Sequence, residues 1–146
     1  MKLFRILAAC LCLVSWFCIA RAEPPAAKDV TAAQVNGTWT CRSNTLKIWA
    51  LGKGKLRVAF DGIYAYESTQ GPMANLGEGS GTATISGDTA IFRPEGAEDE
   101  CKITMKFSGG KLIVTQVGMC GFGHHVFADG TYKKTSGKKP NFEQQQ

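Results

Sequence analysis

Three observations predict an all-β domain. Short apolar–polar alternations recur along the chain, glycine-containing turns separate them, and no helical period of ten residues or more follows the N-terminal segment. Connections of two or three residues force neighbouring strands antiparallel, and a meander of about eight such strands tends to close because closure removes its exposed edges. The predicted fold is a small antiparallel up-and-down β-barrel, with a two-sheet β-sandwich as the alternative.

The elements follow in order. Residues 38–41 (Thr-Trp-Thr-Cys) form the first run. Residues 45–51 form the second, with Leu46, Ile48 and Ala50 on one face and Trp49 opposite. Gly52-Lys53-Gly54 turns into residues 55–60, where Leu56, Val58 and Phe60 alternate against Lys55, Arg57 and Ala59. Asp61-Gly62 predicts a hairpin turn, since glycine takes positive φ at little cost. Residues 63–68 return as the next strand, with Tyr64 and Tyr66 on one face. Residues 69–79, holding Pro72 and Asn75, predict a glycine-rich loop. Residues 81–86 and 89–93 flank a tight Gly87-Asp88 turn, and residues 94–100 form an acidic loop. Residues 101–107 alternate most clearly, with Cys101, Ile103, Met105 and Phe107 apolar. Ser108-Gly109-Gly110 turns into 111–117, and 118–123 is a loop. A strand at 124–128, a turn at Asp129-Gly130 and a last strand at 131–134 complete the domain.

The N-terminal segment is read as an address rather than as part of that domain. Lys2 and Arg5 form a basic start, residues 6–20 are apolar apart from Ser15, and Ala20-Arg21-Ala22 supplies a small-x-small cleavage pattern. The apolar run is shorter than the roughly 20 residues that a membrane-spanning helix needs. Leu7-Ala8-Ala9-Cys10 matches a lipobox, but too few residues separate Arg5 from Cys10 to form the apolar region before a cut. The expected organisation is a signal peptide at 1–22, a linker or short helical turn at 23–35, a β-domain at 36–134 and a disordered polar tail at 135–146. Cleavage after Ala22 removes Lys2, Arg5 and Arg21 and no acid, so the formal charge falls from +5 to +2. That balance argues against a duplex-binding surface, which needs a concentrated basic face.

Three cysteines, Cys41, Cys101 and Cys120, remain after cleavage, in a compartment where disulfides persist. A Cys101–Cys120 bridge would close a loop of about 20 residues and constrain the unfolded chain by about 3 kcal/mol. The hairpin through 108–110 returns the chain beside Cys101. Barrel closure could equally bring the first strand near the last ones, so Cys41–Cys120 is the rival pairing.

Two resemblances add to this reading. Gly37-Thr38-Trp39, at the head of the meander, resembles the Gly-x-Trp signature that opens lipocalins and related barrels. It implies a lipocalin-like outline with Trp39 plugging one end. A longer set comprises Glu78-Gly79-Ser80-Gly81, residues 101–107, Gly110-Lys111-Leu112 and Cys120-Gly121-Phe122-Gly123-His124 onward to Lys134. It is similar to small exported bacterial proteins sharing that Cys-Gly-Phe-Gly-His module. Some of those relatives carry the module beside a domain similar to periplasmic lysozyme inhibitors, which implies envelope defence but names no active residue. Cys41 lies outside the shared pattern, which implies the Cys101–Cys120 pairing.

No catalytic constellation emerges. His124-His125 invites a metal, but adjacent residues of a strand point to opposite faces, and a disulfide removes Cys120 as a thiolate ligand, so no metal is expected. No Gly-x-Ser-x-Gly elbow accompanies a Cys–His pair. Glu95, Glu98, Asp99 and Glu100 form a solvated acidic face. Gly77-Glu78-Gly79-Ser80-Gly81 precedes no helix that could cradle a phosphate. Lys133, Lys134, Lys138 and Lys139 give a basic, solubilising tail.

The expected protein is therefore secreted or periplasmic and non-catalytic. It recognises a protein or a small apolar ligand through barrel-end loops, with Glu78, Ser80, Phe122, His124 and His125 as the candidate binding loop. The alternatives are a lysozyme-type inhibitor of the cell envelope, partnered by a lysozyme-like enzyme, and an envelope enzyme. No cofactor, nucleic-acid partner or membrane span is expected.

Overall fold

Alternating apolar residues commit one face of each strand to a shared interior, and successive short turns bring the strands together in chain order. A computed structural model describes residues 29–143 in this arrangement. The eight strands are β1 (Gly37–Cys41), β2 (Asn44–Gly52), β3 (Lys55–Ser68), β4 (Gly71–Ser86), β5 (Thr89–Phe92), β6 (Lys102–Ser108), β7 (Lys111–Val117) and β8 (Gly130–Ser136). Each pairs antiparallel with its sequence neighbours, and β1 pairs with β8 to close the ring. The barrel is the predicted fold; closure leaves no place for the sandwich alternative. The signal-peptide segment, residues 1–22, lies outside the described residues.

The interior is filled by side chains. Leu46, Ile48, Val58, Phe60, Phe92, Ile103, Met105, Leu112 and Tyr132 are fully buried, as their alternation requires. The expected linker contributes a short helix, α1 (Ala32–Val35), started by a capping box between Thr31 and Gln34. Val35, the last residue of α1, is buried. β8 extends through Ser136, two residues into the expected tail. Farther along, Arg57 lies over the Phe142 ring at 4.7 Å from its centroid.

Three sequence expectations are corrected. Asp61-Gly62 is not a hairpin: β3 runs straight through it, paired with β4 in unbroken register from Lys55↔Thr84 to Ser68↔Gly71. Residues 69–79 are correspondingly not a loop, since all but the two-residue turn at 69–70 belong to β4. The glycines there serve close approach rather than turning. A Cβ on Gly62 would lie 2.6 Å from both the Phe60 ring and Val126, and one on Gly79 would lie 2.5 Å from the Phe122 ring. One on Gly77 would collide with the Phe122 carbonyl. The third correction concerns residues 124–128, which form no strand: β8 pairs with β7 only from Val114↔Gly130. The preceding segment instead folds over the barrel mouth, with His125 at φ +60°.

Cys101 and Cys120 are joined, with sulfurs 2.03 Å apart and Cα atoms 4.9 Å apart. Cys41 is a free, half-buried thiol. The bridge fastens the start of β6 to the loop after β7. Replacing both Cys101 and Cys120 by serine is expected to cost about 2–5 kcal/mol in denaturant unfolding, and Cys41→Ser much less. Equal costs, or a Cys41-containing linked peptide in non-reducing maps, would contradict this pairing.

Candidate functional site

At one end of the barrel the turns are short and α1 lies across them. Trp39, 1% exposed, donates from Nε1 to the Val35 carbonyl at 3.0 Å and meets Phe107 edge to face at 5.8 Å. Lys134 Nζ lies 4.8 Å from the Trp39 ring centroid and donates to the Ala33 and Gln34 carbonyls, each at 2.8 Å. Trp39 is thus buried at this end of the barrel.

The opposite mouth is built differently. β2 leaves β3 at Thr45↔Asp61, and β5 leaves β4 at Thr84↔Ile91. β3 and β4 continue together past both points, so residues 62–77 form a two-stranded arm beyond the ring. The inward face of β3, carrying Leu56, Val58 and Phe60, continues along the arm as Gly62, Tyr64 and Tyr66. Across the hairpin stand Gly77, Asn75 and Met73.

The long β7–β8 loop, residues 118–129, closes this mouth beneath the arm. Phe122 enters the core, 3% exposed, with its ring centroid 4.4 Å from that of Phe60. Val126 and Ala128 are buried beside it. Polar ties hold the rest of the loop. Asn75 Nδ2 donates to the His124 carbonyl and Asn44 Nδ2 to the Phe127 carbonyl, both at 2.8 Å. The Ala128 amide donates to Gln116 Oε1 at 2.9 Å, and the Tyr132 hydroxyl to the Ala128 carbonyl at 2.8 Å.

So held, the loop sets His124 and His125 against the arm. Tyr64 and Tyr66 stack at 6.0 Å and 23°, His125 lies 5.1 Å from Tyr64 at 32°, and His124 meets His125 edge-on at 4.0 Å. With Asn75 they line an open cleft of about 350 Å³. A second hollow of about 490 Å³ lies alongside, sharing both histidines and bounded by Met119, Phe127 and Gln116. Among the described residues, no Lys, Arg, Asp or Glu lines either one. Such a surface can stack on a ligand and hydrogen-bond to it through phenol, imidazole and amide groups.

The expected binding-loop residues divide three ways. His124 and His125 are exposed at the cleft, whereas Phe122 is core. Glu78 and Ser80 lie on the outward face of β4, opposite Asp61 and Ala59. The two imidazoles do not stand on opposite faces of a strand; they pack together in a loop. Among the described residues, no group of three or more His, Cys, Asp and Glu gathers around an ion site. The sequence places Tyr64 and Tyr66 on one strand face, but the arm carrying them is not evident from the local apolar–polar pattern. Its signal was the alternate-residue spacing of Gly77, Gly79 and Gly81 along one strand face.

Tyr132 ties this mouth to the barrel wall, and its burial pushes the phenol well above its ordinary value near 10. The hydrogen bond with Asn44 opposes the shift, while Cys41 and Asp129 add to it. A raised folded-state pKa means that this stabilisation is complete below about pH 10 and is lost as pH rises further. Tyr132→Phe is expected to cost about 1 kcal/mol at neutral pH through the lost hydrogen bond. Melting curves of the two proteins should then converge above about pH 10. A constant gap across that range would contradict the assignment.

No family model, curated protein or solved structure matches the chain.

Proposed function

We propose that the chain is an exported, non-catalytic binding protein that takes a small, largely apolar ligand in the cleft at the barrel mouth. The observation that carries this reading is the strip of successive rings Tyr66, Tyr64 and His125, inclined by 23° and 32° and standing half-buried to exposed beyond a barrel whose interior is already filled. An eight-stranded ring leaves a lumen that side chains can fill completely, so a ligand is bound on the mouth rather than inside. Aromatic faces with a few polar groups are the usual lining of small-molecule sites, and among the described residues no Lys, Arg, Asp or Glu lines this one. Export is supported by the basic, apolar and small-residue succession at the N-terminus and by a cysteine pair at disulfide distance.

Titration with a neutral naphthylamine dye tests the site. Wild-type protein should enhance its fluorescence, and Tyr66→Ala or Tyr64→Ala should weaken binding about tenfold, the loss of one stacking contact. Leu51→Ala, on an exposed strand end away from the cleft, should leave binding unchanged. No enhancement, or equal affinity in the tyrosine variants, would contradict the proposal. Native mass spectrometry of protein purified from its own envelope would identify a retained ligand.

A further inference from the structure

The arm that presents the cleft has an unprotected strand edge. β2 stops pairing with β3 at Asp61, and among the described residues no strand or loop backbone takes the outer edge of residues 62–68. Proteins usually blunt such an edge with lysine, proline, a bulge or a covering segment. The β4 edge of the arm has one of these, Pro72 near the tip, and the β7–β8 loop lies against the arm's inward face, where the His124 carbonyl accepts from the Asn75 side chain. The β3 edge has none, and its register with β4 shows no bulge. Charge offers little protection either: between residues 62 and 77 the only charged residue is Glu67. Ile63, Leu76 and Met73 are 47%, 68% and 48% exposed. A lone two-stranded ribbon with apolar side chains on both faces is marginal in water, and a third strand supplies what it lacks.

We infer that this edge pairs with the same edge of a second copy. The strand is its own complement. The free span 62–68 is centred on Ala65, so antiparallel pairing of two copies about that residue uses the whole span. Tyr64 of one copy then stands opposite Tyr66 of the other, Ile63 opposite Glu67, and Ala65 opposite Ala65. Opposite residues share a face, so the tyrosines form aromatic cross-strand pairs and no like charges meet. The result is a continuous four-stranded sheet, β4-β3-β3-β4, across a two-fold axis. The tyrosines of both copies lie on the face that carries the cleft, so each site gains a ring from its neighbour. This pairing stands on the edge alone and does not depend on which ligand the cleft takes.

Light scattering over rising concentration should show the wild-type mass doubling. Ala65→Lys, which sets two ammonium groups opposite each other on the axis, should abolish the doubling. Ala74→Lys, on the same face but one strand farther from the axis, should keep it. Circular dichroism of both lysine variants separates lost pairing from lost fold. Directly opposite Cα atoms lie about 4.5–5.5 Å apart, within disulfide reach. In a Cys41→Ser background, Ala65→Cys should therefore cross-link into a covalent dimer on mild oxidation, and Ala74→Cys should not. A wild-type protein monomeric at every concentration, a folded Ala65→Lys protein that still dimerises, or equal cross-linking at 65 and 74 would each overturn the inference.

Discussion

The structure depends on space left open at three glycines. An up-and-down barrel must seal two ends, and its β7–β8 loop seals one without strand pairing of its own at 118–129. To seal it, Phe122 and Val126 must come down onto the β3–β4 ribbon closer than any side chain there would permit. Gly62, Gly77 and Gly79 provide that room, each a place where a Cβ would collide with Phe122 or Val126. Glycine within strands weakens them through backbone entropy, a cost offset here by packing an aromatic ring against Phe60. The Cys101–Cys120 bridge, two asparagine side chains, Gln116 and Tyr132 then hold the loop from other sides.

The same packing creates the candidate site. Because Phe122 fills the mouth, the inner face of β3 emerges above it still lined with aromatic side chains, but exposed. His124 and His125 are neighbours of the plug, and their positions follow from how deeply Phe122 and Val126 are seated on either side of them. The opposite end contrasts: Trp39 is buried, covered by α1 and bonded to it. One end of the barrel is therefore covered by α1, and the other presents the long β3–β4 hairpin.

Strands were legible wherever apolar and polar residues alternate, as in β2, β6 and β7, because a buried face imposes period two. The disulfide was legible in part: the hairpin returns the chain beside Cys101, but barrel closure alone left Cys41–Cys120 as a rival. Glycine misled the reading. Asp61-Gly62 carries the same letters whether glycine provides positive φ for a turn or an absent side chain for a neighbouring loop, and only the long-range position of Phe122 decides which. The loop misled it in the opposite way. Val126 and Ala128 are buried with Phe127 exposed between them, so two anchors two residues apart imitate a strand. The site is partly written in sequence, as Tyr64 and Tyr66 on one face. What brings His125 to them is a tertiary contact with no local signature.

A double-mutant cycle tests the central dependence most directly. Gly79→Ala introduces a Cβ that would lie 2.5 Å from Phe122 Cε1, and Phe122→Leu removes that atom. Overpacking of this kind costs about 1–3 kcal/mol, so Gly79→Ala alone should destabilise the wild type by that amount. In the Phe122→Leu background most of that cost should vanish, giving a coupling energy of about 1 kcal/mol or more. Additive effects, agreeing within about 0.5 kcal/mol, would show that the two residues do not meet and that the loop is not seated on the glycines.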